Sequence, residues 1–171
     1  LPMWKRAQAG LGYLPQQPSI FRGLSVENNI MAILETTKLN LDQRINRLEE
    51  LLAEFNLTHL RNAMPHQLSG GERRKCECAR LLGTNPSYVL FDEPFSALDP
   101  ISINDIKSEI NRLKMKGISV IITDHQVREV LDISDYSYLL FSGEIIAHGT
   151  SEKILGSKEA RKFYLGDTFK F

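Results

Sequence analysis

The chain has 171 residues, 42% of them hydrophobic and 25% charged, enough apolar material to bury a core in one globular domain. Its 21 acidic and 21 basic residues cancel, which argues against a nucleic-acid partner, because such a partner selects a strongly basic face. No uninterrupted apolar run approaches the roughly 20 residues that cross a bilayer and no signal peptide is visible, so any membrane association is expected to come through another protein.

In chain order, the first polar group of interest is Gln16, in a loop at the end of Gly12-Tyr13-Leu14-Pro15-Gln16. A helical segment follows. Asn40 with Gln43 reads as a capping pair, and Ile45, Leu48, Leu51, Leu52 and Phe55 recur at helical spacing, which predicts an amphipathic helix with a charged outer face. Leu68-Ser69-Gly70-Gly71-Glu72 is a glycine-rich turn opening a second helix. Ser69 and Glu72 fit an S-x-x-E capping box, and the two glycines leave backbone N–H groups open to an anion. On that helix Cys76 and Cys78 stand two apart, so their side chains point about 200° apart and can neither bond each other nor share an ion. They read as reduced structural thiols.

Tyr88 to Phe91 is a short apolar strand that runs into Asp92 and Glu93, two adjacent carboxylates of the kind that hold Mg²⁺ beside a water. A carboxylate ending a buried strand costs several kcal/mol if unpaired, so Asp92 requires a cation or donors. The pair could instead cap the next helix. Asp99 and Pro100 start a helix with Ile103, Ile106, Ile110 and Leu113 on its inner stripe. Ser119 to Thr123 is a second apolar run, closed by Asp124 and His125. Both runs have the pattern of buried parallel strands whose C-terminal ends carry chemistry, so the expected class is α/β. Tyr138 to Phe141 and Glu144 to His148 flank Ser142-Gly143 as a hairpin. His59, His66 and His148 lack such a context and read as structural. No G-x-x-x-x-G-K-[ST] phosphate loop occurs in the 171 residues. The glycine-rich turn and the paired carboxylates together read as half of an ATP site.

This ordered set resembles the nucleotide-binding subunits of ABC (ATP-binding cassette) transporters over the whole chain. Gln16 is similar to the Q-loop glutamine, Leu68 to Glu72 to the signature motif and Val89 to Glu93 to the Walker B strand. Ser96-Ala97-Leu98-Asp99 resembles the D-loop, and Thr123-Asp124-His125 the switch histidine. The resemblance implies the C-terminal part of a P-loop NTPase ABC cassette with an inserted α-helical subdomain. That subdomain would span about 17–85 with the signature helix, the catalytic α/β core 86–150 and a helical tail 151–171. It implies that Gln16 and Asp92 ligate Mg²⁺, that Glu93 is the general base and that His125 reaches the γ-phosphate. Ser69, Gly70, Gly71 and Glu72 would meet ATP seated on an opposing subunit, and Asp99 would cross the dimer interface. Glu72 stands where glutamine is commoner. The implied partners are a second copy of the chain and integral membrane permease subunits, whose coupling helix Phe21 and Arg22 would receive. The implied location is cytoplasmic, peripheral on the inner face of the bacterial inner membrane.

Further stretches resemble one branch, the ATPases that drive lipopolysaccharide extraction: Ser19 to Val26, Gly71 to Arg74, Pro100-Ile101-Ser102, Ile122 to His125, Ala147 to Thr150 and Tyr164 to Phe169. Departures are Ser96-Ala97-Leu98-Asp99, where that branch more often has Ala-Gly-Val-Asp, and Cys76 and Cys78 at apolar positions. None removes a group with a chemical role. The alternatives are the ATPase of another transporter, such as a branched-chain amino acid importer, and a remnant unable to bind ATP. Family members run longer at the N-terminus, so a chain beginning at Leu1 is expected to be a piece of a longer subunit and inactive alone. Phe169 and Phe171 are expected to pack on their own domain or on the opposing subunit.

Overall fold

Strands too short to be stable singly are held here by parallel pairing and by the helices that connect them. The computed structural model describes residues 1–96, 98–160 and 162. It divides into two units, Leu1–Pro94 with Asp99–Thr123, and Phe95–Leu98 with the chain from Asp124 onward.

In the first unit β1 (Leu11–Leu14), β2 (Tyr88–Asp92) and β3 (Ser119–Thr123) lie in that order, all parallel. Parallel neighbours demand long crossovers. The first carries α2 (Val26–Leu34), α3 (Leu41–Glu54) and α4 (Gly70–Leu82), and the second carries α5 (Pro100–Met115), while α1 (Met3–Gln8) precedes the sheet. Gly12 permits the close approach of α4 to β1: a Cβ there would stand 2.7 Å from Leu81 Cδ1. Leu14, Val89 and Phe91 of the strands are buried, as are Ile30, Leu34, Leu48, Leu51, Leu52 and Phe55 of the helical crossover.

Local signals behave as expected at the helix starts. Asn40 and Gln43 exchange both bonds of a capping box at 3.0 Å. Asp99 Oδ1 accepts from the N–H groups of Ile101 and Ser102, with Pro100 at the first helical position. The inner stripe of α5 is buried at Ile106, Ile110 and Leu113, and Ile103 is partly buried. Two expectations fail. Ile45 was placed on the inner stripe of α3 but is 43% exposed, because the buried face starts one turn later at Leu48. The run Ser119 to Thr123 has the pattern of a buried strand, yet Ile121 is 52% exposed. β3 is an edge of the three-stranded sheet, so one flank has no neighbouring strand among the described residues.

In the second unit α6 (Val127–Ile133) precedes the antiparallel pair β4 (Ser137–Phe141) and β5 (Glu144–Gly149), followed by α7 (Ser151–Gly156). Ser142 and Gly143 have φ of 50° and 85°, the left-handed pair of a two-residue hairpin turn. Leu131, Leu139, Ile154 and Ala160 form the core of this unit. Ala97 and the ending Tyr164 to Phe171, with its two phenylalanines, lie outside the described residues. Among the described residues no helix is long and apolar enough to cross a membrane. Cys76 and Cys78 are both free and buried, and burial pushes each thiol up to about 12.

Candidate functional site

The pairings Leu14↔Phe91 and Asp92↔Thr123 bring the C-terminal ends of the three parallel strands side by side, which is where an open α/β sheet presents its chemistry. β2 contributes Asp92. Tyr13 from β1 donates its hydroxyl to Asp92 Oδ2 at 2.9 Å, and Thr123 from β3 donates to Oδ1 at 2.8 Å. The Thr123 bond first, then that of Tyr13, holds the Asp92 carboxyl below its ordinary range, and in return Asp92 raises the Tyr13 hydroxyl.

Glu93, one residue past the strand, has a left-handed φ of 45°, a conformation disfavoured for a side chain of this size. Its N–H donates to the Thr123 carbonyl at 2.7 Å, which fixes that turn. Its Oε2 accepts from Gln16 Nε2 at 2.8 Å. Gln16 reaches it from the end of β1. Gln16, Asp92 and Glu93, all singled out by sequence, are therefore brought together, and Tyr13 and Thr123 join them unannounced.

The donor set can be tested for Mg²⁺. Among the described residues no group of three or more His, Cys, Asp or Glu could cage a metal. Each oxygen of ionised Asp92 has one hydroxyl donor and lone pairs to spare, while the Gln16 carbonyl is not the atom bound to Glu93. That suits Mg²⁺, which keeps waters and takes one or two protein ligands plus phosphates.

A second constellation opens α4. Ser69 Oγ donates to Glu72 Oε2 at 2.7 Å, Ser69 N–H donates to the same oxygen at 2.8 Å, and Glu72 N–H donates to Ser69 Oγ at 3.3 Å. The Ser69 hydroxyl is the main reason the Glu72 carboxyl lies below its ordinary range. A Cβ at Gly70 or Gly71 would meet nothing within 4 Å, so these glycines leave open space over the first helical amides. Asp99 is occupied as the cap of α5, where Ser102 Oγ also donates to it at 2.6 Å.

His125 belongs to the second unit. Its side chain is 63% exposed and its Nδ1 stands 3.6 Å from Oδ1 of the buried Asp124. Asp124 accepts from the N–H groups of Phe95 and Gln126, both at 2.9 Å, and Gln126 Nε2 donates to the Phe95 carbonyl at 2.6 Å. This ties the start of α6 to the segment after Pro94.

Phe21 is 44% exposed and Arg22 is exposed. The Phe21 backbone is held by the buried Asn29 side chain, which accepts its N–H at 2.8 Å and donates to its carbonyl at 3.1 Å. Sequence reasoning missed Tyr13, Asn29, Thr123, Glu77 and Arg80. Only Glu77 left a signal, a charge inside the otherwise small and apolar run Cys76 to Ala79.

The family profile of ABC transporters matches residues 2–96. An uncharacterised ABC transporter ATP-binding protein of Rhizobium meliloti is 50% identical over 99% of this chain and 63% of its own length. The chain belongs to the ABC transporter family. Other relatives in it are the lipopolysaccharide export system ATP-binding proteins LptB of Haemophilus influenzae, 50% identical, and of Escherichia coli K12, 48% identical, each over 99% of this chain and 71% of the relative. The chain thus spans between about three fifths and seven tenths of the length of such relatives. Among solved structures, cbiO1 from Clostridium perfringens, part of the ABC transporter complex cbiONQ, superposes with a TM-score of 0.81 at 26% identity, over 94% of this chain and 64% of that one. The ADP conformation of the ABC cassette MJ1267 gives 0.78 at 27% identity, over 95% of this chain and 71% of that one. A post-hydrolysis dimer of the cassette MJ0796, bound to ADP and Pi, gives 0.68 at 25% identity, over 82% of this chain and 62% of that one.

Proposed function

We propose that the chain is part of the ATP-hydrolysing subunit of an ABC transporter that drives lipopolysaccharide out of the inner membrane, working as a homodimer on the cytoplasmic face of integral permease subunits. The observation that carries the ATPase reading is the joint placement of Gln16, Asp92 and Glu93 at the adjoining ends of the parallel strands β1 and β2. The export reading is supported by the names of the relatives at 50% and 48% identity.

Asp92, whose carboxyl Thr123 and Tyr13 hold below its ordinary range, and the Gln16 carbonyl would hold Mg²⁺, which would supply positive charge against the phosphates. Glu93 takes a proton from the attacking water once Gln16 releases Oε2. Ser69, Gly70 and Gly71 receive the γ-phosphate of ATP seated on the second copy, which requires the Ser69 hydroxyl to turn from Glu72. Glu72 keeps the helix start in place, Asp99 faces the dimer interface and His125 responds to the γ-phosphate. The 171 residues hold no phosphate loop, so the mechanism requires that cradle to be supplied from outside them; 17–85 forms the helical subdomain, 86–150 the catalytic core and 151–171 the tail. Phe21 and Arg22 face the permease.

In the full-length subunit, Glu93→Gln keeps the Gln16 contact but removes the base. It should bind ATP with near-normal affinity, trap closed dimers and lose turnover by at least about 100-fold. Turnover within threefold of wild type would move the base to another group. For the export reading, the full-length gene should restore growth to cells depleted of their lipopolysaccharide-export ATPase, and the Glu93→Gln gene should not. Failure of the active gene to do so would return the transported substrate to an open choice among importers and exporters.

A further inference from the structure

Glu77 is a buried carboxylate that the hydrolysis reading leaves unused. It sits in the middle of α4 at 3% exposure. Its Oε1 accepts from the N–H groups of Ser19 and Ile20, the latter at 3.1 Å, and from the Ser19 hydroxyl at 3.3 Å. Its Oε2 accepts from Arg74 Nη1 at 3.2 Å, and the same guanidinium nitrogen donates to the Pro15 carbonyl at 3.1 Å. Three residues along the helix, Arg80 Nη1 donates to the Ser19 carbonyl at 2.8 Å and Nη2 to Ser19 Oγ at 2.6 Å. The Arg80 guanidinium also lies 4.6 Å from the centre of the Phe21 ring.

The run between Gln16 and Phe21 is thus stitched to α4 by the buried Glu77 and the partly buried Arg74 and Arg80. Burying charge carries a desolvation cost, and the directional bonds of Glu77 and Arg80 define one orientation of the turn on the helix. α4 is also the helix that Ser69 caps and that Gly70 and Gly71 begin.

We propose that Glu77 and Arg80 are positioning residues that bind the Pro15–Phe21 turn to the signature helix, so that a push received at Phe21 arrives at Ser69 to Gly71 as motion of one body. The proposal rests on the reading of Phe21 as facing the permease. In Glu77→Gln the shape is kept and the charge is lost. The amides of Ser19 and Ile20 should then exchange hydrogen about tenfold faster in the full-length subunit, while those of α3 keep their rates. Stimulation of ATP turnover by the co-purified membrane subunits should drop on the order of fivefold. Arg80→Lys keeps the charge but not the planar fork, and serves if Glu77→Gln does not fold. Its loss of stimulation should add nothing to that of Phe21→Ala in the double variant. Wild-type exchange at Ser19 and Ile20, undiminished stimulation, or losses that multiply in the double variant would each overturn the proposal. A wild-type subunit with no turnover at all would instead sink the ATPase reading beneath it.

Discussion

At the residue scale, the site joins a carboxylate held by two hydroxyls to a glutamate in a disfavoured backbone conformation. Two hydroxyls from two other strands reach Asp92 and hold its carboxyl below its ordinary range. Glu93 adopts a left-handed backbone at φ 45°, a region that costs a non-glycine residue of the order of 1 kcal/mol. Asn56 and Asn85 adopt the same region with residues suited to it. Glutamate at position 93 is therefore retained against a local preference, as expected of a side chain kept for chemistry. Glu93→Gly should raise the unfolding free energy by roughly 1 kcal/mol while abolishing hydrolysis in the full-length subunit. Urea denaturation would check the first half, and a midpoint below wild type would mean that the Gln16 contact outweighs the backbone strain.

At the element scale, helix starts give the molecule a definite acid response. Ser69 with Glu72 opens α4 and Asp99 opens α5. Both carboxyls lie below their ordinary range through bonds to Ser69 and Ser102 respectively. A carboxylate whose folded value is depressed binds protons more tightly when unfolded. Its contribution is complete above the unfolded value of about 4 and is lost as pH falls through the lower folded value. Asp92 behaves likewise through Thr123 and Tyr13. Thermal midpoints should therefore hold level from neutral pH to about 5 and decline below about 4, and Asp99→Asn should shallow the decline. A midpoint that rises on acidification would contradict the sign.

At the scale of the whole molecule, the 171 residues carry the Gln16, Asp92 and Glu93 cluster and the Ser69 to Gly71 helix start without a phosphate loop. The phosphate loop that would supply backbone amides and a lysine is not in the sequence, and electrostatic stabilisation of a transferring phosphoryl group depends on such donors. The purified 171-residue chain should hydrolyse no ATP above buffer background, and measurable turnover would refute the assignment of roles made above. The half-exposed Ile121 on the edge strand β3, together with Tyr138, Leu140 and Ile145 on the hairpin of the second unit, gives the chain apolar surface of a kind that other chain segments ordinarily cover.

The sequence alone determined whatever depends on local chemistry. Capping boxes at Asn40 and Ser69, the Asp99-Pro100 start, the Ser142-Gly143 turn and the strand running into Asp92 and Glu93 were all legible, because caps, left-handed turns and apolar runs are set within a few residues. The same locality explains the failures. The four-residue strand β1 carries too few positions for a period to emerge, Ile45 obeys the helical spacing but lies beyond the partner face, and Ile121 looks like core because apolar character says nothing about which strand becomes an edge. Only the tertiary structure decided that Tyr13 and Thr123, 110 positions apart in the chain by their numbers, converge on Asp92, that Gln16 engages Glu93, and that Glu77 holds the amides of Ser19 and Ile20. Such contacts are fixed by strand register and helix packing, which are properties of the assembled chain, and only the charge of Glu77 among small apolar neighbours hinted at one of them.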